Sequence, residues 1–356
     1  MEGGEIGWKY SVLKSIEDGI DGLRNVLRGK RVVFQLPDGL RGIAGDVARI
    51  LETEGAEAIF SGEHCYGACD IPSYLFDIAD VILHIGHEKM ASLSFKEFNR
   101  VHSKRSSAQI IYLPINLKVD IERVCDAIIN APLSAPCLII TASQTYAHIL
   151  PSIKKCLKGM GLTAVLLPSG RGIKTHGVVL GCNFSAAGFW NRKYQEWDVV
   201  FIGDGNFHPL GMALWKAGLM GSENAHVICA RPWGASEIID PRAFLRSRYL
   251  MVERTMDCKT AGIVLSTLHG QCRYTLARGL HRLAKKHGIR TTMIAVEHLS
   301  PDLFSHIGFD CIISTACPRI ALDDYKNYDL PIITPQEFLM AMGILPMPRY
   351  VIDQIH

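Results

Sequence analysis

Val32-Val33-Phe34-Gln35-Leu36, a helical stretch that closes at Gly55, and then Ala58-Ile59-Phe60 form a strand-helix-strand unit that the chain repeats twice more. The second copy runs Leu138-Ile139-Ile140-Thr141, a helix to Gly161, and Ala164-Val165-Leu166-Leu167. The third runs Ile263-Val264-Leu265-Ser266, a helix to Gly288, and Thr292-Met293-Ile294-Ala295. From first strand residue to closing glycine the chain advances 23, 23 and 25 residues. Glycine suits that place because a helix C-terminus often needs the left-handed conformation. Each copy continues with an apolar run that aspartate introduces: Asp80-Val81-Ile82-Leu83, Asp198-Val199-Val200-Phe201 and Asp310-Cys311-Ile312-Ile313. A fourth run follows at Ile110 to Leu113, Val227 to Ala230 and Ile332 to Thr334. Strands that alternate with helices predict parallel sheets covered on both faces. The fold class is therefore α/β, read as three similar small parallel-sheet domains around a pseudo-threefold axis. One large doubly wound sheet with look-alike units is the competing architecture.

Two helical additions flank the repeats. Trp8, Val12, Ile16, Ile20, Leu23 and Leu27 fall at helical spacing and make one apolar stripe, predicting an amphipathic helix that docks on a domain or a second subunit. Pro241 to Cys258 sets arginines among Phe244, Leu245, Tyr249, Leu250 and Val252, which reads as a connecting helix. The predicted organisation is an N-terminal helix over 1–29, α/β domains over 30–131 and 132–234, the connecting helix over 235–258, and a third α/β domain over 259–356.

With 356 residues, 48% hydrophobic and 21% charged, the chain has the composition of an ordinary globular protein able to bury a core. Thirty-eight basic against 35 acidic side chains give a net charge of only +3, which argues against nucleic acid as the ligand. The long apolar stretch Gly177 to Trp190 is broken by Cys182, Asn183 and Ser185, so no membrane span is expected. Glu2 and Glu5 open the chain where a secretory signal would be basic, and a cytoplasmic location is the expectation.

Eleven cysteines in a reducing compartment are then read mostly as thiols or metal ligands, not as a disulfide framework. Cys125, Cys137, Cys156, Cys229 and Cys311 fall in predicted helices or strands and read as small buried hydrophobes. Cys69, Cys182 and Cys317 differ, each lying in a Gly- or Pro-marked loop of a different repeat. In open α/β sheets, loops beyond the strand ends are where ligands collect. Were the three domains to pack about a common axis, these loops would converge and supply three ligands to a [4Fe-4S] cluster, with one iron left open. Separations of 113 and 135 residues, with no Cys-x2-Cys, leave scattered structural cysteines as the alternative. Cys65, Cys258 and Cys272 stay ambiguous, and Cys272 is the strongest competing ligand. His84 and His87 read as an isolated pair without metalloprotease spacing, so zinc is not expected. Gly203-x-Gly205 lacks a full dinucleotide fingerprint.

Tyr66-Gly67-Ala68-Cys69, Leu180-Gly181-Cys182-Asn183 and Ala316-Cys317-Pro318-Arg319-Ile320-Ala321-Leu322-Asp323-Asp324 together resemble the diphthamide biosynthesis family. Gln35-Leu36-Pro37-Asp38-Gly39-Leu40 and Gly203-Asp204-Gly205-Asn206-Phe207-His208 are also similar to its patterns, and the likeness runs from about Lys30 to the C-terminus. Departures are Cys65 after His64, and Cys272 after Gln271 in Ser266-Thr267-Leu268-His269-Gly270-Gln271.

The resemblance implies a homodimer in which Cys69, Cys182 and Cys317 hold a [4Fe-4S] cluster fed by an external electron donor. It further implies cleavage of S-adenosylmethionine between sulfur and the methionine γ-carbon. The resulting 3-amino-3-carboxypropyl radical would add to imidazole C2 of a histidine in translation elongation factor 2. Within that reading Arg319 grips the methionine carboxylate and Asp323 orients the guanidinium or takes the amino group. Gln35, Asp38 and Gln271 are assigned to the nucleoside, with helix capping as the alternative for Asp38. For Arg319 the alternative is an ordinary salt bridge, and for His208 a structural turn. Two rivals stand beside the family reading: a Lewis-acid dehydratase that resembles quinolinate synthase, and a non-catalytic electron-relay subunit.

Overall fold

Three separate sheets carry the three repeats in the computed structural model, which describes residues 2–89, 108–170, 173–221, 225–268, 270–347 and 349–355, with side chains from residue 9 onward. The first sheet holds β1 (Arg31–Gln35), β2 (Glu57–Phe60), β3 (Val81–Ile85) and β4 (Gln109–Leu113) in the order β2-β1-β3-β4, all parallel. The second holds β5 (Cys137–Ala142), β6 (Thr163–Val165), β7 (Asp198–Ile202), β8 (Val227–Ala230) and β9 (Ser236–Ile239) in the order β6-β5-β7-β8-β9. The third holds β10 (Thr260–Ser266), β11 (Arg290–Val296), β12 (Cys311–Ser314) and β13 (Ile332–Ile333) in the order β11-β10-β12-β13. The same 2-1-3-4 winding thus occurs three times, which excludes the single large sheet. The departure from a purely parallel plan is β9, which pairs antiparallel with β8.

The repeated aspartate has a physical reason. Asp80 accepts from the Arg31 N–H at 2.9 Å, Asp198 from the N–H groups of Ser134 and Ala135, and Asp310 from those of Lys259 and Thr260 at 2.9 and 2.8 Å. In each repeat the carboxylate at the start of the third strand therefore ties down the entry to the first. Those backbone donors hold the Asp310 carboxyl below its ordinary range. The closing glycines Gly55, Gly161 and Gly288 have φ of 83°, 86° and 76°, the left-handed region where a Cβ would be strained.

Alternation within strands covers both faces of each sheet. Val32 and Phe34 of β1 pack into one cluster with Val47, Leu51 and Ile115, whereas Val33 turns to Ile71, Leu75 and Ile82 on the other face. Val12, Ile16 and Ile20 of the helix Glu2–Asp21 join the first of these clusters, so that helix docks on its own first sheet. The Trp8 side chain of the predicted stripe lies outside the described residues. Leu245 and Val252 of the helix Arg242–Met256 pack into the second sheet's cluster and Met251 into the third's. Each such fully buried aliphatic side chain contributes about 1.5–3 kcal/mol.

The cysteine reading needs one correction. Cys311 is buried as expected, but it forms a disulfide with Cys258, with Cα atoms 6.3 Å apart. Cys258 leads into β10 and Cys311 opens β12, its hydrogen-bonded neighbour, so strand pairing brings together thiols 53 residues apart. Cys125 and Cys229 are fully buried, while Cys137 and Cys156 are half-buried. No helix among the described residues is long and apolar enough to cross a membrane.

Candidate functional site

Loops of the three repeats bring Cys69, Cys182 and Cys317 together: burial pushes the Cys69 thiol well above its ordinary value, and the neighbouring Cys182 and Cys317 add to that shift. Burial pushes the Cys182 thiol up to about 12 and the Cys317 thiol up to about 11, and Cys317 adds to the shift at Cys182. Neutral thiols are therefore favoured until a cation offsets the repulsion, which couples metal binding to proton release.

A circuit of hydrogen bonds fixes the three loops. The Gly270 N–H donates to the Cys69 carbonyl at 3.1 Å. A Cβ on Gly270 would stand 2.2 Å from Cys69 Cα, so only glycine allows this approach. Gln271 spans two cysteines, its Nε2 lying 3.8 Å from Cys69 Sγ and its Oε1 accepting from the Cys317 N–H at 3.2 Å. Arg273 donates to the carbonyls of Thr315 and Ala316 at 2.7 and 2.8 Å, directly before Cys317, and pairs bidentately with Asp353 at 2.9 and 2.7 Å. Two residues beyond Asp353, the Ile355 N–H donates to the Cys182 carbonyl at 2.8 Å. The C-terminal strand of chain is thereby a strap between the Cys182 and Cys317 loops. Arg273 and Asp353 were missed from sequence, since neither sits in a motif and 80 residues separate them.

Arg319 is the second residue of the short helix Pro318–Leu322 that follows Cys317. Its guanidinium lies 5.2 Å from the Tyr66 ring and 5.5 Å from the Phe207 ring, between residues of the first and second repeats. Nε donates to Asp323 at 3.2 Å, and both side chains remain about two-fifths exposed, at 40% and 41%. The predicted Arg319–Asp323 pair thus exists beside the cysteines, and the aromatic walls Tyr66 and Phe207 add what sequence did not single out. A Cβ on Gly181 would meet the Phe207 ring at 2.5 Å, so the Cys182 loop packs against the same wall. His208 is stacked on Phe201 at 5.5 Å, and burial lowers its pKa to about 4.

Gln35 is buried at the end of β1, where its Nε2 donates to the Asp70 carbonyl at 3.1 Å and its Oε1 lies 3.2 Å from His84 Nδ1. Asp38 makes no cap: it pairs with His64 Nδ1 at 2.8 Å and accepts from the Cys65 N–H at 3.3 Å. Both residues hold the turn that carries Cys69. Cys272, between Gln271 and Arg273, is fully buried and packs in the core cluster of the third sheet. Cys65, His84 and His87, read from sequence as an odd thiol and an isolated pair, form one group whose ligand atoms all lie within 4.8 Å of one another, an arrangement capable of metal coordination.

Three domains of one winding, with Gln271 bridging two of their loop cysteines and a Cys/His group capable of metal coordination beside them, define a three-domain α/β protein. Residues 36–350 match the family described as "Putative diphthamide synthesis protein", and the chain belongs to the diphthamide synthesis family. It is 30% identical over 330 residues to a 2-(3-amino-3-carboxypropyl)histidine synthase of Pyrococcus horikoshii, covering 92% of this chain and 89% of the relative. A synthase of the same name from Methanocaldococcus jannaschii is 28% identical over 329 residues, covering 88% of this chain and 84% of the relative. The crystal structure of Dph2 from Pyrococcus horikoshii with a 4Fe-4S cluster superposes with a TM-score of 0.80 at 28% identity, covering 96% of this chain and 93% of that one.

Proposed function

We propose that this protein transfers the 3-amino-3-carboxypropyl group of S-adenosylmethionine to a histidine of translation elongation factor 2, opening diphthamide biosynthesis, with Cys69, Cys182 and Cys317 holding a [4Fe-4S] cluster. The observation that carries this reading is the convergence of one loop cysteine from each repeat, with Gln271 bridging two of them. Thiolates are the ligands such clusters take, so the donor set fits. When bound, the cluster would supply one electron to the sulfonium, whose bond to the methionine γ-carbon breaks to give methylthioadenosine and a 3-amino-3-carboxypropyl radical; its addition to imidazole C2 gives an adduct that restores the ring by returning one electron to the oxidised cluster and losing the C2 proton to solvent. The electron comes from an external donor, and the working unit is a homodimer.

The protein's own groups bind and orient. Arg319, held by Asp323, offers a planar fork for the methionine carboxylate, and the rings of Tyr66 and Phe207 flank that fork. Gln35 and Asp38 act through the Cys69 turn, and Gln271 through its hold on two cysteines; all three serve the substrate by fixing what surrounds it.

The test is the product of S-adenosylmethionine cleavage by anaerobically purified, dithionite-reduced protein. Methylthioadenosine is expected. Dominant 5′-deoxyadenosine, or no cleavage by protein with full iron and sulfide, would overturn the proposed bond selectivity. Arg319→Lys should keep the iron but bind S-adenosylmethionine about tenfold or more weakly by calorimetry, because a single ammonium cannot reproduce a two-pronged contact. Unchanged affinity would return Arg319 to a plain salt bridge.

A further inference from the structure

Cys65, His84 and His87 lie in the first domain beside the turn that carries Cys69, and nothing in the proposed reaction uses them. Cys65 Sγ lies 3.8 Å from His84 Nε2, which lies 3.0 Å from His87 Nδ1. Around a tetrahedral zinc ion, two nitrogen ligands stand about 3.3 Å apart and a nitrogen and a sulfur about 3.6 Å apart, given Zn–N near 2.0–2.1 Å and Zn–S near 2.3 Å. Those two separations are within a few tenths of an ångström of that geometry, and the third pair, Cys65 with His87, lies within 4.8 Å.

The surroundings aim the donors. Because Gln35 Nε2 donates to the Asp70 carbonyl at 3.1 Å, its Oε1 faces His84 Nδ1 at 3.2 Å and accepts a hydrogen bond from that N–H. The lone pair of His84 is thus left on Nε2, the atom that faces Cys65 and His87. An outer carbonyl that fixes the tautomer of an imidazole is the usual support of a metal ligand. Gly86, at φ 100°, turns the chain so that His87 returns beside His84, and a Cβ there would stand 2.6 Å from the Pro37 ring. The Cys65 loop is held in turn by Asp38, which accepts the Cys65 N–H at 3.3 Å. Cys65 and His84 are buried and His87 is half-buried. Without an ion, the single lone pair on His84 Nε2 faces two hydrogen-bonding groups, His87 Nδ1 at 3.0 Å and Cys65 Sγ at 3.8 Å.

We propose that Cys65, His84 and His87 form a second, mononuclear site for a divalent transition cation, with zinc best matched to a thiolate and two neutral imidazoles. Three protein ligands leave a tetrahedral cation one place for water. The test uses the full chain in two forms, wild type with its iron and a variant with Cys69, Cys182 and Cys317 all replaced by alanine. Each is incubated anaerobically with zinc, dialysed and analysed for zinc and iron per chain. About one zinc per chain is expected in both forms, and cobalt in its place should give the visible bands of a tetrahedral thiolate site in the triple variant. Cys65→Ser, His84→Gln and His87→Gln should each weaken zinc retention about tenfold or more, with the iron of the wild-type form unchanged. His87→Gln, at a half-buried position, keeps the test open should the buried substitutions impair folding. No retained zinc, zinc lost from the triple variant, or zinc unaffected by His87→Gln in a folded protein would overturn the proposal.

Discussion

Replacing Cys69, Cys182 or Cys317 by alanine is expected to leave a folded protein that holds little iron and transfers no aminocarboxypropyl group. Each thiol sits in a loop whose shape is fixed by backbone contacts: Cys69 and Cys182 through their carbonyls, Cys317 through its N–H. Truncating the side chain leaves those contacts in place, so the loss falls on metal binding and not on the fold. Cys272→Ala is the counterpart. That thiol is buried in the third sheet's core, and its removal should cost about 1 kcal/mol of stability through lost packing while iron content stays full. Iron analysis beside thermal unfolding separates the two classes. Full iron in Cys182→Ala together with depleted iron in Cys272→Ala would show that the ligand set is wrong.

Asp353→Asn is expected to lower both stability and iron content. Asp353 is fully buried and Arg273 12% exposed on their side chains, so removing the carboxylate charge strands a guanidinium in a poorly solvated place. Breaking such a pair costs about 3–5 kcal/mol. The same change slackens the strap between the Ala316 carbonyl and the Ile355 N–H that holds Cys182. Denaturant unfolding should show the stability loss. At a temperature where circular dichroism reports a folded chain, iron per chain should still fall well below wild type. A destabilised variant with full iron would mean that the strap supports the fold without setting the cysteine loops.

The features legible in the sequence were those carried by local pattern. Strand runs, the aspartate before each third strand and the glycine after each first helix recur at near-constant spacing, and three loop cysteines stand out against five in regular elements. What escaped depended on which strands become neighbours. Pairing of β10 with β12 joins Cys258 to Cys311, and pairing of β1 with β3 sets Gln35 opposite His84. Once His84 is placed there, the odd thiol Cys65 and the isolated His87 become one cluster, which no spacing rule would have joined. Asp38 had the nucleoside or a helix cap as its partner in sequence, yet its carboxylate is drawn to the Cys65 N–H and His64 on the adjacent loop. Tyr66 and Phe207 gained their meaning only when three repeats met around Arg319.

The central claim is tested most directly by mass spectrometry of elongation factor 2 after anaerobic reaction with S-adenosylmethionine and the reduced protein. The account predicts one histidine that carries a single added 3-amino-3-carboxypropyl group, absent when Cys69→Ala, Cys182→Ala or Cys317→Ala protein is used. Unmodified elongation factor 2 alongside iron-replete wild-type protein that consumes S-adenosylmethionine would contradict it.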